Sequence, residues 1–154
     1  MLRTIVAVVV SYIVMSIIIF AVFAALMFGM GPDKLLEPGS WKGTTFLNIV
    51  APSITVISGL FGGWLSVKIG ASRKPVVPLA VVVLLLGAVT AYFTMQKPAP
   101  TGERPAGMAM EEFMEKGREP TWLLIFNPIG GAAAVMIGGF LAKSKQLPDH
   151  KGVV

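Results

Sequence analysis

The chain contains no cysteine. Disulfides, thiolate metal sites and thiol redox chemistry are therefore excluded. Histidine occurs once, as His150, four residues from the C-terminus. General-base and nucleophilic catalysis need a base held against its target, and a lone terminal histidine is a poor start. Charge is scarce too. Asp, Glu, Lys and Arg make up 14% of the 154 residues, against about 25% in a soluble domain.

The scarcity is concentrated. No charged side chain occurs between Arg3 and Asp33, Lys42 and Lys68, Lys74 and Lys97, or Glu119 and Lys143. Each window exceeds the ~20 residues that cross a ~30 Å hydrocarbon core. The windows are continuously apolar, whereas barrel strands alternate over ~10 residues. Mean hydropathy is +0.76. The fold class expected is an all-α membrane protein, a bundle of four transmembrane helices. Spans fall at about 4–30, 44–67, 75–96 and 120–142 in one membrane domain covering 1–154, with a polar tail at 143–154. The first span is far longer than the ~7–15 apolar residues of a cleaved signal peptide.

The net charge of +5 does not point to nucleic acid. With the N-terminus inside, the inner segments carry Arg3, Lys68, Arg73, Lys74, Lys143, Lys145 and Lys151 against one acid, Asp149. The outer loops carry Lys34, Lys42, Lys97, Arg104, Lys116 and Arg118 against seven acids. The short basic loop after span 2 and the tail after span 4 favour both termini inside. Partners implied are the lipid bilayer and a membrane protein or a second copy of the chain.

One phrase occurs twice. Residues 45–65 and 121–141 share seven of 21 positions without a gap: Thr45/Thr121, Leu47/Leu123, Ile49/Ile125, Pro52/Pro128, Gly62/Gly138, Gly63/Gly139 and Leu65/Leu141. Two spans return the chain to its starting side. A duplicated hairpin, with halves near 1–70 and 71–145, therefore gives a parallel repeat.

Small residues form stripes on the repeated spans. Span 2 has Gly59, Gly62 and Gly63; span 4 has Gly130, Ala134, Gly138, Gly139 and Ala142. Small residues let helix backbones approach in lipid, where no hydrophobic force drives pairing. Spans 2 and 4 are expected at the bundle centre. Ala21, Ala25 and Gly29 make a further stripe on span 1.

No ionisable group lies inside the spans, so the usual mark of a proton relay is missing. Pro52 and Pro128 interrupt the ladders of their helices. Asn48 and Asn127 are placed to satisfy the freed carbonyls, or to frame a small polar vestibule with the prolines. Trp41, Trp64, Tyr92 and Trp122 read as interface anchors. Met110, Phe113, Met114 and Gly117 share a face at i, i+3, i+4 and i+7, a short amphipathic helix. Met108, Met110 and Met114 could be written as a copper site, but no His or Cys supports it. No cofactor or metal is expected.

The loop Pro38-Gly39-Ser40 and the segment from Arg118 to Gly130 resemble small bacterial four-transmembrane-helix membrane proteins of uncharacterised activity. The resemblance implies a bacterial inner membrane and no particular reaction. The expectation is a non-enzymatic accessory, assembly or envelope-associated protein acting through helix packing. The alternative is a small transporter or channel for a neutral or lipid-like solute, with a homodimer as one form it can take.

Overall fold

The computed structural model describes residues 1–98, 100–103 and 110–143, without the side chains of Met110, Phe113 and Met114. His150, the rest of the tail after Lys143, and Met108 of the methionine cluster lie outside the described residues.

Four helices are long and apolar enough to cross a membrane. They are α1 (Leu2–Met30), α3 (Thr45–Gly70), α4 (Val76–Gln96) and α6 (Thr121–Leu141). Two short helices, α2 (Pro32–Leu35) and α5 (Met110–Lys116), lie in the connections at one end. That end is the loop end. The other end holds the N-terminus, the turn between α3 and α4, and Lys143.

Local chemistry explains the boundaries. Gly31 ends α1 at φ 75°, a conformation glycine adopts without a Cβ penalty, and Pro32 opens α2 at a position that needs no N–H. Thr44 caps α3. Its hydroxyl accepts from the Leu47 N–H at 3.4 Å and donates to the Leu35 carbonyl at 3.1 Å. Ala71 closes α3 in the left-handed region, φ 52°.

The bundle runs α1–α3–α6–α4 across its width, and α1 and α4 meet more lightly on one side. In α3 and α6, 39% of the most apolar window is buried; in α1 and α4 the share is 17%. The outer pair therefore turns most of its surface outward. Ile5, Val9, Ile13 and Ile17 of α1 and Val77, Val81 and Leu85 of α4 are exposed. In water such a surface would aggregate; in a bilayer it is solvated.

Glycine lets α3 and α6 approach closely. A Cβ on Gly63 would stand 2.0 Å from the Val135 carbonyl oxygen, and one on Gly138 would stand 2.0 Å from that of Leu60. A Cβ on Gly59 would lie 2.8 Å from that of Ala134. Other small residues serve different neighbours. Gly62 makes room for Met15 of α1, and Gly139 for Val76 of α4. Gly130 faces only the ring of Phe126 on its own helix, whereas Gly131 sits beside Thr55 and Val83. The face of α6 toward α3 thus keeps Ala134 and Gly138 of the expected Gly130–Ala134–Gly138–Ala142 row and adds Gly131 and Val135, while Gly130 turns away. Ala142 is buried at the end of α6.

The two ends differ in charge. Arg3, Lys68, Arg73, Lys74 and Lys143 gather at the basic end. Arg3 donates to the Ile69 carbonyl at 2.9 Å, and Arg73 donates to that of Phe140 at 3.0 Å. Every acidic residue described lies at the loop end.

Candidate functional site: a two-part cleft beside α1

Toward the basic end, Met15 of α1 shares a buried cluster with Val76, Leu79 and Ala80 of α4 and Val135 of α6. Toward the loop end, the space between α1 and α4 opens. Two adjoining cavities of about 420 and 410 Å³ lie at that end, the first between α1, α3 and the start of α6, the second between α1 and α4, and both are lined by Ser16, Ile19, Phe23, Ala51, Arg118 and Glu119. Volumes of ~300–1,000 Å³ are usual for small-ligand sites. The first cavity reaches Met27, Leu47 and Asn48; the second reaches Thr55, Thr90, Thr94, Lys97, Asn127 and Pro128. Phe20, 61% exposed, lines the first, and Leu86, 46% exposed, lines the second. The cleft therefore reaches the lipid-facing surface of the bundle.

The mouth is built by the outer loops. Gly43 donates to the Arg118 carbonyl at 3.3 Å, and the Arg118 N–H donates to the Trp41 carbonyl at 2.7 Å. One isolated bridge, Leu36 with Gly43, folds the first connection on itself, and a second, Lys42 with Arg118, ties it to the other connection. Trp41 is buried at their junction. Its indole N–H donates to the Gly102 carbonyl at 3.2 Å, and the Lys116 ammonium lies 5.2 Å from its ring. It is a clasp between loops, not the interface anchor its position at the span edge suggested. Trp64 and Trp122 are outward-facing. The Arg118 guanidinium donates to the Pro98 carbonyl, which orients it toward the end of α4.

Glu119 is the residue the sequence did not single out. It precedes the last span, so a scan for charges within spans passes over it. Asn127 lies six residues into α6, about 9 Å along the axis at ~1.5 Å per residue. Yet the Asn127 amide donates to the Glu119 carboxylate at 3.5 Å. The carboxylate must hang back into the bundle. Among the described residues no cation lies within 4.0 Å of it. The residue as a whole is exposed, while neighbouring protein removes part of the water around the carboxylate. That desolvation pushes its pKa above the usual carboxylate range.

The Asn127 carbonyl oxygen accepts from Thr55 at 3.4 Å, and Thr55 also reaches the Ala51 carbonyl at 3.1 Å. A polar chain thus runs Glu119–Asn127–Thr55 across α6 and α3. Asn48 donates to the Gly43 carbonyl at 3.0 Å. Neither asparagine amide turns to the carbonyl freed by its proline, contrary to expectation; each finds a loop acceptor nearer the mouth. Asn48, Asn127 and Pro128 line the cleft. Pro52 does not. Pro128 is buried against Gly87, where a Cβ would lie 2.7 Å from that of the proline.

The described residues hold no group of three or more His, Asp or Glu spaced for a metal. The fold and the cleft define a multi-pass helical membrane protein with an amphipathic cavity at one end. No family profile, curated protein or solved structure matches the chain.

Proposed function

We propose that this is a non-enzymatic protein of the bacterial cytoplasmic membrane that receives part of a lipid-like molecule in the two-part cleft that α1 forms with α3 and the start of α6 on one side and with α4 on the other. The single observation that carries the reading is the graded lining. Ile19, Phe23, Met27 and Leu47 offer apolar walls, while Asn127, Thr94, Lys97, Arg118 and Glu119 gather toward the mouth. An amphiphile carries the same gradient. Both termini lie inside, because the basic end supplies five Lys and Arg residues and no described acid. The repeated phrase on α3 and α6 supports a duplicated hairpin whose second helices meet at the midline through small residues.

Lipid retention tests the reading. Ala51 is buried and lines both cavities, so Ala51→Phe fills the cleft. Wild-type protein purified in mild detergent should carry bound lipid in native mass spectrometry, and the folded variant should carry less. Equal retention by the two would remove the cleft from the account.

A second reading, an accessory or assembly component, is favoured by one feature. Ala21, Ala25 and Gly29 lie exposed on α1, and a Cβ on Gly29 would meet nothing within 4 Å. A partner helix could approach there. Disulfide formation between copies carrying Gly29→Cys would support self-association through this face; a monomer under all oxidising conditions would count against it.

A further inference from the structure

We propose that the cleft selects a phospholipid whose headgroup carries an ammonium beside its phosphate, and that Glu119 is the residue that receives the ammonium. This rests on the lipid-binding reading above and names the class of lipid.

Three observations carry it. First, the Glu119 carboxylate lies in both cavities and is held toward the bundle by Asn127 at 3.5 Å. Among the described residues it has no cationic partner. The residue is exposed at the mouth, so its carboxylate is open to an incoming cation. Second, a simple organic cation would meet Lys97 and Arg118 at the same mouth. The guanidinium donates to the Pro98 carbonyl, and a guanidinium has five N–H donors. A phosphate would answer those two cations, as an ammonium would answer Glu119. An anionic lipid supplies only the first charge; a cationic amphiphile supplies only the second. Third, the walls below the mouth are apolar and reach the lipid-facing surface at Phe20 and Leu86. The occupant can enter from the bilayer with its chain first in the cleft and its head at the mouth.

The test uses full-length protein in nanodiscs holding equal amounts of phosphatidylethanolamine and phosphatidylglycerol, followed by native mass spectrometry of the lipids that stay bound. Wild type should retain the ethanolamine lipid in preference, by about tenfold for one charge-assisted hydrogen bond. Glu119→Gln should retain as much total lipid with the preference lost. If Glu119→Gln keeps the wild-type preference, the assignment to Glu119 is wrong while the cleft still binds lipid. If the wild type shows no preference, the headgroup proposal fails even should the variant prove unstable. If neither protein retains lipid, the underlying reading fails as well. Free ethanolamine added at millimolar concentration should not displace the bound lipid; displacement would identify a soluble amine as the occupant and overturn the lipid assignment.

Discussion

Adding one methyl group to Gly63 should separate the two central helices. In Gly63→Ala the new Cβ would fall 2.0 Å from the Val135 carbonyl oxygen and 2.8 Å from the Gly139 nitrogen. Ordinary contact begins near 3.4 Å, so the shortfall at the oxygen is about 1.4 Å, and both neighbours are backbone. No rotamer change can absorb it. One helix must shift by a comparable distance, and the packing of Gly59 on Ala134 and of Gly138 on Leu60 would loosen with it. Overpacking of this kind costs about 1–3 kcal/mol, and the rigid neighbours place Gly63→Ala and Gly138→Ala at the upper end. Two controls isolate the cause. Gly29→Ala meets open space and gains up to about 1 kcal/mol of helix propensity. Gly62→Ala also clashes, at 2.1 Å, but with the sulfur of Met15, a flexible side chain that can move. Reversible unfolding in mixed micelles should rank stability as Gly29→Ala, then Gly62→Ala, then Gly63→Ala and Gly138→Ala. Stability of Gly63→Ala equal to that of Gly29→Ala would refute the close α3–α6 seam.

Three further outcomes can be checked. The hydroxyls of Ser11 and Ser58 are fully enclosed and have no hydrogen-bond partner among the described residues; removing an unsatisfied buried group relieves about 1 kcal/mol or more, so Ser11→Ala and Ser58→Ala should unfold at higher temperature than wild type. Trp41→Ala should free the outer loops, read as faster protease cleavage at the loop end with the four spans intact by circular dichroism; unchanged cleavage would deny Trp41 its clasping role. The raised pKa of Glu119 means that the folded protein holds this proton more tightly than the unfolded chain, so its stabilising contribution is present at low pH and is lost as pH rises through the folded value. Lys97, Arg118 and Glu115 face the same mouth, and subtracting the Glu119→Gln melting curve removes their share; the difference should show wild type losing stability with rising pH, and a flat difference would contradict the desolvation of Glu119.

The spans were readable because charge exclusion over ~20 residues leaves few alternatives in a chain this apolar. Expected boundaries near 4–30, 44–67, 75–96 and 120–142 compare with Leu2–Met30, Thr45–Gly70, Val76–Gln96 and Thr121–Leu141. Helix register was only partly readable: Ala134 and Gly138 meet α3 as expected, and Gly130 does not. Around residue 131 span 4 reads Gly-Gly-Ala-Ala-Ala, so small residues occupy more than one face, and composition cannot choose between a row through Gly130 and one through Gly131. Loop residues were harder still. Trp41 at a span edge looks interfacial, and only the pairing of two distant connections encloses it. Glu119 has no periodic signal. Its one hint is its place two residues before a span whose first turns include an amide, Asn127, that a backward-reaching carboxylate can meet.

The central claim is that a lipid chain occupies the cleft that α1 forms with α3, α4 and the start of α6. A phospholipid carrying a photoreactive diazirine on its acyl chain, irradiated with the protein in nanodiscs and mapped by peptide sequencing, reads that directly. The account predicts adducts on the inward residues Ile19, Phe23, Ala51 and Leu123, diminished in Ala51→Phe, beside background labelling of the outer surface. Adducts confined to Ile13, Ile17, Val81 and Leu85, which face outward, would show an empty cleft and contradict it.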